Sequence, residues 1–146
     1  MKILWNLLAI ALLALSVQSC NKENKVAKEF DGTWMLDYQW SGGPSADAAV
    51  VDSAGTWNFT SCKTSKETCF AVYDGEDDDQ MTFSWGIDDG AESMSITVPI
   101  EDHWMYQFQG TYDIFSKTEQ KIVLLSNDCT NCGADERGTY TLELTK

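Results

Sequence analysis

From Thr33 onward the chain alternates apolar and polar positions with a period of two, which marks strands with one buried face. Trp34, Leu36, Tyr38 and Trp40 share one side, and Thr33, Met35, Asp37 and Gln39 share the other. The alternation returns at Trp57 and Phe59, at Phe70 and Val72, and at Met81, Phe83 and Trp85. It continues through Met94, Ile96 and Val98 until Pro99, which lacks a donor and ends that strand. Trp104, Tyr106 and Phe108 predict a further strand that bends at Gly110 and resumes through Tyr112 and Ile114. Ile122 to Leu125 is apolar on both faces, which predicts a strand covered on both sides, and Tyr140, Leu142 and Leu144 give the last stripe. The fold class is therefore all-β: about eight strands, joined by short loops into an antiparallel up-and-down meander. Such a meander removes its exposed edges by closing into a barrel, with an open β-sandwich as the alternative.

The beginning of the chain has a different pattern. Lys2 precedes the unbroken apolar run Leu7 to Leu15, and Val17-Gln18-Ser19-Cys20 follows. That run is too short for a hydrocarbon layer of about 30 Å, and it has the layout of a secretory signal helix. With a small residue directly before a cysteine, the segment resembles the lipobox of bacterial lipoprotein signals. The resemblance implies that residues 1–19 are a signal peptide and that Cys20 becomes the mature first residue. Cys20 would carry a thioether-linked diacylglyceryl group and an amide-linked chain such as palmitate. It implies export and a lipid anchor in the outer membrane, on its periplasmic or its cell-surface face. Each buried methylene contributes about 0.8 kcal/mol, so two or three chains hold firmly where one does not. Residues 21–29 (NKENKVAKE) are polar and charged, so residues 20–29 are expected to be the lipidated cysteine and a flexible, solvated tether. Lys22-Glu23 partly resembles the surface-export signals of Bacteroidetes lipoproteins. Residues 30–146 are left as a single domain.

Composition narrows the partners. The formal net charge is −13, and so acidic a body is expected to repel nucleic acid and anionic membrane surfaces. Two prolines and six tryptophans describe a globular chain rather than a disordered one.

Phe30-Asp31-Gly32-Thr33-Trp34 opens the first strand. Gly-x-Trp at that place, followed by a meander, resembles the lipocalin-like domains of Bacteroidetes lipoproteins. The resemblance implies a barrel, Trp34 packed at its closed end, and a small apolar ligand as partner. In lipocalins the arginine that covers this tryptophan follows the last strand, whereas the only arginine here, Arg137, precedes it.

Four cysteines besides Cys20 remain: Cys62, Cys69, Cys129 and Cys132. In an exported protein they are expected to form disulfides. If Cys62 faces Cys69 across a hairpin, Thr60 faces Ala71 and Phe59 faces Val72, with both cysteines turned outward. Directly opposed residues lie about 4.5–5.5 Å apart, within disulfide reach. Cys129–Cys132 would then close a tight loop. A redox dithiol lacks its βαβ setting, and Cys-x6-Cys is a poor zinc knuckle.

The acidic run Asp74-Gly75-Glu76-Asp77-Asp78-Asp79 lacks the spacing of a calcium loop and reads as a solvated hairpin tip. His103, the single histidine, has no nucleophile arrangement around it and reads as a surface residue at a strand start. No enzymatic activity, metal or cofactor is expected. Among the stripe residues, Trp40, Trp57, Phe83, Trp85, Trp104 and Tyr106 are the candidate ligand-contacting set in the barrel interior. So many rings favour a lumen mostly plugged by side chains, with an apolar pocket at the open end as the alternative. The competing functional class is a cell-surface interaction module that binds protein or glycan; the sequence identifies no protein partner.

Overall fold

The computed structural model describes residues 22–42, 49–62, 68–76, 79–88, 90–126 and 138–146. The expected signal peptide, Cys20, Cys129 and Cys132 lie outside the described residues. Among these residues nine strands follow one another as β1 (Gly32–Gly42), β2 (Ala49–Val51), β3 (Thr56–Phe59), β4 (Cys69–Asp74), β5 (Gln80–Asp88), β6 (Ser93–Thr97), β7 (Gly110–Lys117), β8 (Lys121–Ser126) and β9 (Gly138–Thr145). Each pairs antiparallel with its neighbour in the sheet, and β1 also pairs with β9, which closes the sheet into a barrel. β2 and β3 lie along the same edge of β1, one beside Tyr38–Trp40 and the other beside Gly32–Met35. Together they form one broken stave, so the barrel has eight staves in meander order. Between the two halves Ser53 and Gly55 adopt φ of 55° and 114°, while Leu36 still exchanges backbone hydrogen bonds with Gly55 and Ala54.

The inward face is the one the alternation marked on most strands. Trp34, Leu36, Trp57, Phe59, Phe83, Met94, Ile96, Leu142 and Leu144 are buried in one continuous core. Their rings meet mainly edge to face, as in Phe59–Trp85 at 5.1 Å and Phe59–Phe83 at 6.1 Å between centroids, the arrangement that aromatic quadrupoles favour. The expected plug is present: side chains fill the lumen.

Four expectations need correction. Residues 22–30 are not a tether but a helix, α1, lying across one end of the barrel. Its Val26, Ala27 and Phe30 are buried, and burial of these three outweighs the polar composition that suggested a solvated segment. Residues 104–108 are not a strand: Trp104–Phe108 is a 3-10 helix. It buries Met105 and Phe108, three residues apart, which is the 3-10 period rather than that of a strand. Val123 and Leu125 are only half-buried, so β8 is fully covered on one face alone.

The fourth correction concerns register. Phe59 pairs with Ala71, and Asn58 with Val72, one residue away from the expected alignment. A slip of one exchanges the two faces. Cys69, Ala71 and Tyr73 point inward, and Phe70 is 52% exposed. The expected Cys62–Cys69 disulfide nonetheless forms, with both cysteines buried rather than outward. Cys62 lies beyond the end of β3, so the strand's alternation does not dictate its facing. A bridge closing so short a loop stabilises by about 2–3 kcal/mol on the chain-entropy model.

At the end covered by α1, Trp34 Nε1 donates to the Phe30 carbonyl at 2.6 Å. Lys146, just after β9, covers the Trp34 ring, with Nζ 4.3 Å from its centroid and 3.3 Å from the Asp31 carbonyl. The Lys117–Glu29 ion pair ties α1 to β7.

Candidate functional site

The opposite end is shaped by the 98–109 connection between β6 and β7, which carries the 3-10 helix inward. His103 caps that helix by accepting the Met105 N–H on Nδ1 at 3.1 Å. Gln109 closes it by donating its N–H to the Tyr106 carbonyl at 3.1 Å. Three side chains fix it to the wall. The Tyr112 hydroxyl donates to the Phe108 carbonyl at 3.0 Å, the Tyr140 hydroxyl reaches Gln107 Oε1 at 3.2 Å, and Gln109 Oε1 accepts the Val98 N–H at 3.3 Å. Burial pushes the Tyr112 hydroxyl far above the usual phenol range, so it remains a donor.

Phe108 fills the neck, 5.0 Å from Tyr38, 5.5 Å from Tyr140 and 6.1 Å from Trp57 between ring centroids. Above it lies an open cleft of about 370 Å³, walled by Tyr38, Tyr73 and Trp104 and rimmed by Ser53, Glu76 and Asp79. Trp104 stands 5.0 Å from Tyr73, edge to face, and 6.4 Å from Tyr38, nearly parallel. Tyr73 is held by backbone. Its hydroxyl donates to the Ala54 carbonyl at 3.1 Å, and its ring packs so tightly on Gly55 that an added Cβ there would lie 2.5 Å from Cε2.

Asp79 joins the acidic hairpin tip to this lid. His103 Nδ1 already accepts a backbone N–H, so Nε2 carries the hydrogen and donates it to Asp79 Oδ1 at 2.9 Å. Trp104 Nε1 donates to Oδ2 at 3.0 Å. These hydrogen bonds, His103 first and Trp104 second, hold the Asp79 carboxyl below its ordinary range. The Tyr73 hydroxyl is raised, first by burial and then by Asp79, Asp74 and Glu76. The cleft thus has aromatic walls in a negative field, and among the described residues no lysine or arginine lines it.

The sign of the Asp79 shift sets a pH dependence. With its folded-state pKa depressed, Asp79's tie to the lid is complete above the ordinary carboxylate pKa and lost as pH falls through the lowered one. The Trp104 indole N–H resonance is expected to move in that acid window in the native chain and to stay still in Asp79→Asn, where an amide oxygen still accepts. Identical titrations of the two would remove Asp79 from this role.

The candidate set is not brought together in one site. Trp57, Phe83 and Trp85 are buried in the packed core. Trp104 is a cleft wall. Trp40 is half-buried against Tyr140 at 4.6 Å, and Tyr106 is half-buried on the 3-10 helix. Neither Trp57 Nε1 nor Trp85 Nε1 has an acceptor among the described residues, a desolvation cost of about 1–3 kcal/mol each. His103 is not at a strand start, and Asp79 is not merely solvated. Sequence reading missed Tyr73, Asp79 and His103; only an inward register for Cys69 would have brought Tyr73 to the lumen side.

No protein-family model matches the chain, and no curated protein does. Among solved structures it is similar to a lipocalin-like protein from Bacteroides uniformis at 17% identity, over 81% of this chain and 98% of that one, with a TM-score of 0.46. It is similar also to a redesigned beta barrel, at 15% identity over 83% of this chain and 94% of that one, TM-score 0.46. An uncharacterized protein from Bacteroides eggerthii is similar at 16% identity, over 80% of this chain and 99% of that one, again with a TM-score of 0.46.

Proposed function

We propose that this chain is an exported, non-enzymatic lipoprotein, acylated on Cys20 and held at the outer membrane, whose lipocalin-like barrel binds a small ligand at its mouth rather than in its lumen. The observation that carries the reading is the Tyr38–Tyr73–Trp104 cleft standing over a lumen already filled by Phe108, Trp57 and Phe83. Aromatic faces bury apolar surface and attract cations by about 0.5–2 kcal/mol each. Asp79 and Glu76 on the rim repel anions. The ligand is therefore a small molecule with an apolar body and a positive group.

Benzyltrimethylammonium is the probe. Titrated against the full chain and followed by tryptophan fluorescence, it is expected to bind at least about tenfold more tightly than the anionic benzenesulfonate. Trp104→Ala is expected to remove that preference. Equal affinities for the two probes, or a preference that survives Trp104→Ala, would place the ligand elsewhere. Native mass spectrometry of chain purified without detergent looks for the natural occupant.

A protein- or glycan-binding face has less support. The exposed rings Phe70 and Phe115, the latter 72% exposed, stand on β4 and β7 with β5 and β6 between them. They form no continuous patch.

A further inference from the structure

The described lysines, though not the carboxylates, are segregated along the barrel axis. Every described lysine lies at the end capped by α1: Lys22, Lys25 and Lys28 on the helix, and Lys117, Lys121 and Lys146 around the β7–β8 turn and the end of β9. The mouth end carries Asp52, Asp74, Glu76, Asp79, Glu101 and Asp102. Within α1, Lys22, Lys25 and Lys28 follow at intervals of three and are all exposed, while Val26, Ala27 and Phe30 face the core. That spacing lines the three ammonium groups along the outer face of the helix.

We infer that this lysine face of α1 lies on anionic lipid headgroups, with the cleft turned away from the membrane. The inference rests on the reading that Cys20 is acylated. One residue separates Cys20 from Lys22, and a chain advances at most about 3.6 Å per residue, so the anchor holds the helix end within roughly 7 Å of the lipid surface. That lies inside a Debye length of about 8–10 Å, where each lysine favours an anionic surface by about fivefold. Acidic neighbours are present at this end: Glu23, Glu29 and Asp31 on or next to α1, and Asp88, Glu92 and Glu119 at the adjoining strand ends. Glu92 lies 3.7 Å from Lys22 across largely exposed side chains, a pair that water leaves weak. Glu29 is taken by Lys117. Among the described residues neither Lys25 nor Lys28 has an ion pair.

The net charge of −13 does not forbid this contact. A tilted strand of β1's length spans roughly 25–30 Å along the axis, so the acidic mouth stands about three Debye lengths from the surface. Repulsion estimated from the whole molecule overlooks that distance.

The experiment uses the full chain, with acylation read by intact mass, in vesicles of phosphatidylcholine alone and of phosphatidylcholine with a quarter phosphatidylglycerol. Amine labelling is followed lysine by lysine. Lys22, Lys25 and Lys28 are expected to react at least about threefold more slowly on the anionic vesicles, with the difference erased near 1 M salt. Equal rates on both vesicles would overturn the proposal. A second arm needs no acyl chain: Cys20→Ala chain is expected to sediment with anionic vesicles, and adding Lys22→Glu, Lys25→Glu and Lys28→Glu is expected to cut that partition by more than about a hundredfold. Partition unchanged by the three reversals refutes the lysine face. A native chain of unacylated mass refutes the anchor instead, and the second arm still judges the face.

Discussion

Replacing Trp34 with alanine is expected to lower the unfolding free energy by about 3–5 kcal/mol, read as a fall in urea midpoint at unchanged slope. The side chain is fully buried, and two separate attachments converge on it. Its indole N–H holds the Phe30 carbonyl, and Lys146 covers its ring. Phe30, the residue that hydrogen bond fixes, packs 5.5 Å from both Phe59 and Trp85. Truncation leaves a cavity and releases α1 together. Domain stability is typically about 5–15 kcal/mol, so the loss is a large fraction of the whole. Trp34→Phe keeps most of the packing and loses the hydrogen bond, and is expected to cost about 1–3 kcal/mol. Faster amide exchange across residues 22–30 in Trp34→Ala, beyond what global destabilisation accounts for, identifies α1 as the released element. A midpoint shift worth under about 1 kcal/mol would mean the helix is held by other contacts.

Phe108→Ala is the second large effect, again about 3–5 kcal/mol. Here the consequence is functional as well. Phe108 separates the cleft from the packed lumen, and the space it vacates is bounded by Tyr38, Trp57, Trp104 and Tyr140. An apolar cavity of that kind stays dry and accepts a benzene-sized guest. Benzene is expected to shift the Trp57 indole resonance in Phe108→Ala and not in the native chain. Uptake by the native chain would return the binding site to the interior. A loss under about 2 kcal/mol with no uptake would mean that the 3-10 helix settles into the gap.

The barrel was legible because a period of two carries through most staves, and the position of Trp34, Leu36, Trp57, Phe83 and Ile96 in the core needs nothing beyond it. The breaks in legibility have separate physical causes. α1 reads as polar because a nine-residue helix needs only Val26, Ala27 and Phe30 to cover a barrel end, and its lysines are the outer face of the same pattern. Trp104, Tyr106 and Phe108 fit a strand and a 3-10 helix equally well as letters. The choice is made by tertiary partners: Asp79 on Trp104, Tyr140 on Gln107, and Tyr112 on the Phe108 carbonyl. On β4 the letters mislead: Phe70 and Val72 look like the apolar stripe, whereas the buried face is Cys69, Ala71 and Tyr73. The candidate cleft was half visible. Trp104 stands out in the sequence as a ring, whereas Tyr73 depends on the β4 register and Asp79 on a long-range contact.

β1 is bonded on one edge by β2 and β3 and on the other by β9, with Met35 beside Thr145 and Trp40 beside Tyr140. A polypeptide emerging from its beginning therefore holds its longest strand half unzipped until residues 138–145 arrive. So distant a seam makes folding slow, on the millisecond-to-second scale. It also leaves an exposed backbone edge that invites aggregation until the final stitch.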